Sequence, residues 1–284
     1  MEWKVYADPL AYGEQVERLL YEREDEYSLF LGILEQIKAE RYEEYFLAIA
    51  FEGDEVAAAC LMTPPHPLQL IVFKETAGIE AQVAERLMNG GIVVDAIVGD
   101  RGTARRFAEA WTAKMGGSYH VLMDQGLYRA DAVNRKLEKS PGTWRVASKK
   151  DAPLLEEWLL LFEQETGIAS STPAQAAHRI DSFIEGKEVY VWEVDGEVVA
   201  CMKKSRPSKR GITVSFVYTP EKHRRKGYAR TLVAEVTEEL LQEYDFAMLY
   251  TDLKNPTSNK IYTEIGYSQI ANPVHLALDE VQPE

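Results

Sequence analysis

The run E-V-A-A-A-C at Glu55 to Cys60 returns, one alanine shorter, as E-V-V-A-C at Glu197 to Cys201, 142 residues further on. An apolar segment with the same acid before it and the same cysteine after it, displaced by half of a 284-residue chain, divides the sequence into two copies of one unit. Val5 followed by Asp8-Pro9 matches Val146 followed by Asp151-Ala152-Pro153 at nearly the same offset. The polar stretch Asn134 to Gly142, ending in Pro and Gly, supplies the join. We place the boundary there, giving domains 1–139 and 140–284.

In each copy an acidic, proline-containing segment leads into a helix. The pattern is clearest at Leu154, Leu155, Trp158, Leu159 and Phe162, whose spacing makes one apolar stripe. A strand, a Gly53-Asp54 or Asp195-Gly196 turn and a second strand follow, the composition of a tight hairpin. The second copy continues with a strand from Ile212 to Thr219, a basic loop, and an amphipathic helix from Tyr228 to Tyr244. Then come a strand from Phe246 to Thr251, a helix from Asn255 to Ile265 stopped by Gly266, and a last strand at Val274 to Leu278. The fold class is α/β.

Composition narrows function by exclusion. Hydrophobic residues at 46% and charged residues at 27% fit a folded globular protein, and a net charge of −14 repels nucleic acid and anionic lipid. Two cysteines, Cys60 and Cys201, are too few for a disulfide scaffold, and both read as core. Five scattered histidines show no ligand spacing, so no metal is expected. The charge-free stretch from Val56 to Phe73 is interrupted by Pro64, Pro65 and Pro67 and reads as strand, turn, strand instead of a membrane span. The first residues lack the apolar core of a signal peptide, which points to the cytoplasm.

Chemistry concentrates in the loop Glu221 to Arg230, E-K-H-R-R-K-G-Y-A-R. Placed between a strand and a helix, it presents the unpaired first-turn N–H groups that bind anions. Gly227 lets the backbone approach a phosphate without a Cβ in the way, and the small Ala229 keeps the first turn open. From Lys203 to Arg230 ten basic residues stand against one acid, Glu221, in a chain that is otherwise acidic. That asymmetry focuses a polyanionic small molecule, whereas a solvated basic face or a nucleic-acid patch would need only charge; interleaved stacking aromatics are missing.

The series V-Y-T-P-E-K-H-R-R-K-G-Y-A, then N-P-T-S-N-K-I-Y and I-G-Y, resembles the GNAT superfamily of acyl-CoA-dependent N-acyltransferases over roughly Val146 to Leu278. The resemblance implies two GNAT-like domains, each a mixed, mostly antiparallel central sheet flanked by helices. It implies that the main chain of Val217, Tyr218 and Thr219 holds the pantetheine arm of acetyl-CoA, the acyl-donor cosubstrate. It further implies that Arg224, Arg225, Lys226, Gly227, Tyr228, Ala229 and Arg230 cradle the pyrophosphate, and that Asn255, Ser258 and Asn259 line the cleft. Tyr262 would be the catalytic acid near the sulfur. Read alone, Asn255 or Ser258 is a helix cap and Tyr262 a packing residue; downstream of the Gly227 loop the functional reading prevails. The strand from Ile212 to Thr219 has no carboxylate, which leaves Asp252, Glu165 or a water chain as general-base candidates and none assigned.

An offset of 142 places the first copy's counterpart of the loop near Ala81 to Met88, where no glycine occurs, and Val98 to Ser118 contains no tyrosine. The first copy therefore reads as degenerate, without a CoA loop. The expectation is an N-acetyltransferase in which a primary amine attacks acetyl-CoA directly. The expected acceptor is a small molecule, a cationic one being favoured by the acidic chain, with no nucleic-acid or membrane partner and no metal. The alternative is a non-catalytic acyl-CoA sensor or interaction module. A tRNA-dependent aminoacyl transferase would need a broad basic surface.

Overall fold

Positive φ angles at Gly53 (62°), Asp195 (51°) and Gly196 (82°) give the two turns the twist that a tight hairpin requires. Each repeated apolar run is thereby folded into a hairpin. In the computed structural model, which describes residues 1–167 and 170–279, the chain forms two compact units. The first comprises Met1–Leu127, Thr251–Asn255 and the tail from Gln269; the second comprises Tyr128–Tyr250 and Pro256–Ser268.

Unit 1 runs β1 (Glu2–Val5), α1 (Pro9–Glu22), α2 (Ser28–Lys38), β2 (Phe46–Glu52), β3 (Glu55–Met62), β4 (Leu68–Val72), α3 (Ile79–Asn89), β5 (Ala96–Gly99), α4 (Arg101–Met115) and β6 (Ser118–Ala130). Its sheet is mostly antiparallel, with β4 and β5 parallel. Strict alternation on β2 sends Leu47 and Ile49 into a core under α1 and α2, while Ala48 and Ala50 join Val83, Leu87 and Phe107 under α3 and α4. Asp8 starts α1 by accepting from Leu10 N–H at 2.8 Å, with Pro9 in the first turn where its missing N–H costs nothing. The stretch from Val56 to Phe73 is strand, turn, strand as expected, and among the described residues no helix is long and apolar enough to cross a membrane.

Unit 2 repeats the order with β7 (Thr143–Val146), α5 (Ala152–Thr166), α6 (Pro173–Glu185), β8 (Val189–Val194), β9 (Glu197–Ser205), β10 (Gly211–Tyr218), α7 (Tyr228–Leu240), β11 (Phe246–Asp252) and α8 (Pro256–Ile265); the short β12 (Ser268–Ala271) that follows belongs, from Gln269 on, to unit 1 and pairs with β6. Strands β7 to β10 are antiparallel, and β10 pairs with β11 in parallel. Helices α5 and α6 cover one face through Leu155, Trp158 and Ile180, and α7 and α8 cover the other through Leu232, Val236 and Ile265. Helix α7 stops at Leu240, with residues 241–244 continuing as hydrogen-bonded turns, so it ends four residues before the expected Tyr244. Both units are the α/β architecture that the sequence led us to expect.

The structure bears on three details of the repeat. First, the compact units do not follow the 139/140 division. Tyr128 and Ala130 are buried in the core of unit 2. The final strand β13 (Val274–Asp279) lies in unit 1, antiparallel to both β5 and β6, with His275 opposite Val98 and Met123. Val274, Leu276 and Leu278 bury their side chains in the α3/α4 core, which explains where this apolar alternation is satisfied. Second, the two cysteines are not counterparts. Cys60 lies opposite Ala48 and faces the α3/α4 core, whereas Cys201 lies opposite Val191 and faces α5 and α6. Both are buried, and burial pushes both thiols well up, so they are inert core residues as expected. Third, unit 1 does have a glycine at the start of its third helix: Gly78, φ 72°, three residues before the expected window.

Candidate functional site

Strand β10 pairs with β11 from Gly211↔Phe246 to Val214↔Leu249, then runs on to Tyr218. Its register against β9 shifts between Ser215 and Tyr218, and Phe216 sits in the left-handed region at φ 46°. For a bulky non-glycine residue such a conformation costs about 1–2 kcal/mol, held here by the packing of Phe216 against Phe162 at 5.4 Å. The bulge puts Ser215 and Phe216 on the same face and turns the backbone of the following residues away from the regular ladder.

Of the expected pantetheine contacts, Val217 packs on the α7/α8 side, while Tyr218 points the other way among α5 residues and donates to Glu165 at 3.2 Å. Only the main chain of Tyr218 could meet a ligand on the Val217 side. Thr219 follows the strand with a buried Oγ1 that has no hydrogen-bond partner among the described residues, and its carbonyl accepts from Arg224 Nε at 2.8 Å.

The basic loop delivers the chain to α7 through Gly227, φ 77°, at the N-cap. The first intrahelical bond is Thr231 N–H to Gly227 C=O at 3.0 Å, which leaves the N–H groups of Tyr228, Ala229 and Arg230 in the unpaired first turn. Ser140, from the segment after β6, supports the loop by donating to the Lys226 carbonyl at 2.8 Å; a Cβ on Gly227 would stand 2.6 Å from its oxygen. Tyr228 packs edge-on to the buried His223.

The ten basic residues do not act as one cluster. Lys203 pairs with Glu188, Arg210 with Asp245, Lys222 with Glu197, Arg224 with Glu165 and Arg230 with Glu264, all partners lying outside the basic window. Arg230 also donates to the Glu138 carbonyl, so its side chain is fixed to the protein. Arg225, exposed and left-handed at φ 64°, and Lys226, exposed, make no ion pair among the described residues. They flank the open first turn of α7.

On α8, Ser258 and Asn259 are half-buried and Tyr262 is buried among Leu232, Ile265 and Tyr267, ring centroid to Tyr267 6.2 Å. Burial pushes the Tyr262 phenol up to about 12, so it stays protonated across the neutral range. Asn255 is exposed, donates its N–H to the Asp252 carbonyl and groups with unit 1, apart from the rest. Among the base candidates, Glu165 is occupied by Arg224 and Tyr218, and Asp252 accepts from Lys254 N–H at 2.8 Å. Sequence reasoning passed over Ser140 and the polar side chains of β9 and β10; the alternation Thr213, Ser215 within an otherwise apolar strand was their signal.

A sequence model of the FR47-like protein family matches residues 194–276, from the end of β8 into β13. Among solved structures, the chain is similar to a GCN5-related N-acetyltransferase from Sphaerobacter thermophilus, with 16% identity and a TM-score of 0.66 over 99% of this chain and 96% of that one. It is similar to a GNAT-family acetyltransferase from Colwellia psychrerythraea, with 13% identity and a TM-score of 0.60 over 98% and 100%. A tandem GNAT protein from the clavulanic acid biosynthesis pathway aligns over 100% of both chains, with 12% identity and a TM-score of 0.58. No curated protein matches the sequence significantly. The fold is that of the GNAT proteins. The likeness to the tandem GNAT protein extends over the whole chain, and residues 194–276 are similar to the FR47-like family.

Proposed function

We propose that unit 2 is an N-acetyltransferase that moves an acetyl group from acetyl-CoA to the amine of a small molecule, and that unit 1 has no donor site. The observation that carries this reading is the succession along the chain of the bulged end of β10, Thr219 with a hydroxyl that has no hydrogen-bond partner among the described residues, and the open first turn of α7 beside Arg225 and Lys226. A buried hydroxyl without a partner costs about 1–3 kcal/mol, a debt that a polar ligand lying along the strand removes. The donor fits these residues: main-chain groups of Val217 to Thr219 for an amide-bearing arm, and first-turn N–H groups with two exposed cations for a pyrophosphate.

Acetyl-CoA supplies an activated carbonyl and a thiolate leaving group. The N–H groups of β10 beyond the bulge polarise that carbonyl, the attacking amine forms the C–N bond, and the C–S bond breaks. Tyr262 donates a hydrogen bond to the departing sulfur. With its phenol near 12 and a thiol near 8.5, complete transfer of the phenolic proton is uphill, so Tyr262 stabilises the thiolate and the amine's own proton balances the reaction. Titration calorimetry with acetyl-CoA, followed by thiol release in the presence of amines, tests the proposal. Binding without thiol release from any amine would favour an acyl-CoA sensor instead.

A further inference from the structure

The polar stretch that joins the two copies, Asn134 to Gly142, lies within unit 2 and runs from the end of α8 to the start of α7. At one end Asn134 donates its main-chain N–H to the Ile265 carbonyl at 2.7 Å and its side-chain amide to the Glu264 carbonyl at 3.1 Å. A Cβ on Gly266 would stand 2.7 Å from the Ala132 carbonyl, so the chain just before the stretch presses directly on the end of α8. Val133 and Leu137 are half-buried and pack on the α7/α8 core. Lys139 pairs with Glu235 of α7 at 2.9 Å, and the Pro141 carbonyl accepts from Trp192 Nε1 at 2.9 Å. A segment with the composition of a linker is thus a strap fastened along its length.

Ser140 is where this strap meets the basic loop. Its N–H donates to Thr231 Oγ1 at 3.0 Å, and that hydroxyl in turn donates to the Gly227 carbonyl at 3.2 Å. Its own hydroxyl donates to the Lys226 carbonyl at 2.8 Å. Two consecutive carbonyls of the loop are therefore tied, directly or through Thr231, to one residue. In a trans peptide the C=O and N–H point in opposite directions, so anchoring the Lys226 carbonyl on Ser140 turns the Gly227 N–H away from the strap. Rotation of that peptide would put a carbonyl where the N–H now stands, and a carbonyl repels a phosphate that an N–H attracts. The helix does not need this brace in order to start. Helix α3 begins from Gly78 in the same left-handed conformation, yet a Cβ on Gly78 would meet nothing within 4 Å.

We propose that Ser140 is a positioning residue of the donor site: its hydroxyl holds the Lys226–Gly227 peptide in the orientation that leaves the Gly227 N–H to the pyrophosphate of CoA. This rests on reading the first turn of α7 as the place where that pyrophosphate binds. Ser140 acts through the peptide it holds and does not itself touch the donor. The segment between the copies thereby sets the affinity of the second copy for its donor.

The test is calorimetry with CoA on the full chain and its variants. Ser140→Ala is expected to weaken binding about 5- to 10-fold, equivalent to one neutral hydrogen bond, while Ser140→Thr, which keeps the hydroxyl, stays within about 2-fold of the parent. Lys139→Ala removes an ion pair of the strap and leaves both Ser140 bonds, so it too should bind within about 2-fold of the parent. At saturating CoA, phosphorus NMR separates the pyrophosphate from the 3′-phosphate of the same ligand. In Ser140→Ala the bound pyrophosphate signals should move from their parent positions and the 3′-phosphate signal should not. Should Ser140→Ala not fold, Ser140→Val set against Ser140→Thr, alike in shape, makes the same comparison. Parent affinity without the hydroxyl, unmoved pyrophosphate signals, a threonine variant as weak as the alanine, or an equal loss in Lys139→Ala would each overturn the positioning role. A parent chain that does not bind CoA would instead remove the donor-site reading on which it stands.

Discussion

Two helices of this molecule begin in the same way and offer different chemistry. Helix α3 starts from Gly78 at φ 72° and α7 from Gly227 at φ 77°, each following the strand that makes the parallel pair of its unit. Two residues beyond the glycine, α7 has the small Ala229 and α3 has Glu80. Glu80 is 4% exposed and bridged to Arg106 at 2.7 Å. A carboxylate in the first turn suits the helix dipole and repels a phosphate from the same N–H groups. The next helices differ in the same sense. Their seventh residues are Phe107 in α4 and Tyr262 in α8, and their fourth are Ala104 and Asn259. The backbone device is kept in both copies because each helix needs its starting turn, whereas the capacity to bind and react resides in a few side chains.

Replacing the two glycines separates these roles. Gly227→Asp should abolish CoA binding by calorimetry, through charge repulsion, a disfavoured φ and the clash with Ser140, a loss expected to exceed about 10³-fold. Gly78→Ala, with open space around its Cβ, should cost unit 1 about 1 kcal/mol and leave CoA affinity unchanged. If both variants lose CoA, the contrast between α3 and α7 is wrong. Next in size, Tyr262→Phe should lower kcat by about 10² to 10³-fold, the loss of one hydrogen-bond donor to a developing anion, with little change in acetyl-CoA affinity, making α8 resemble α4 at that position. Parent-rate turnover would make the phenol a packing group.

The acids that open the two units give a third contrast. Burial alone would raise the Asp151 carboxyl, but the Arg145 guanidinium, at 2.8 and 2.9 Å, and the Ser148 N–H and hydroxyl overcome it and hold it down at about 2. Its folded value lies below the unfolded one. The stabilisation is therefore complete above about pH 4 and is lost as the pH falls towards 2, worth about 2 kcal/mol. Asp8 is exposed and caps α1 alone. Asp151→Asn should raise the acid-unfolding midpoint and remove most of that amount, whereas Asp8→Asn should cost a few tenths of a kcal/mol, since asparagine also caps helices. The smallest loss of CoA affinity is expected for Arg225→Ala, a several-fold weakening that shrinks with added salt. A much larger loss would show that the paired cations of the loop also turn towards the ligand.

What the sequence revealed depended on distance along the chain. The hairpins, α7, β11 and α8 were legible because turn residues and apolar periods act locally. Gly78 was missed because the loop before α3 is shorter than Pro220 to Gly227, so the constant offset of the hairpins does not reach it. The equation of Cys60 with Cys201 followed letters across a one-residue gap, when strand register keeps Ala59 with Cys201 and sets the two thiols on opposite faces. Counting the basic residues between Lys203 and Arg230 was sound, but their acidic partners come from α5, the residue before β8, β9 and α8, and no linear window contains them. Buried polar Lys203 was hidden in that same count.

The place of β13 bears on how the chain is made. Residues leave the ribosome in order, so β5 and β6 are complete long before Val274 to Asp279, the strand that bonds to both, has been synthesised. The copy that emerges first is the last to close its sheet, and until then it carries two bare strand edges, the usual starting point for mispairing with other chains. Closure through so distant a segment also slows folding more than it weakens the folded state. Cutting the polypeptide between residues 139 and 140 would therefore strand β13 with the wrong fragment. The first copy, cut there, would lack the strand that bridges β5 and β6.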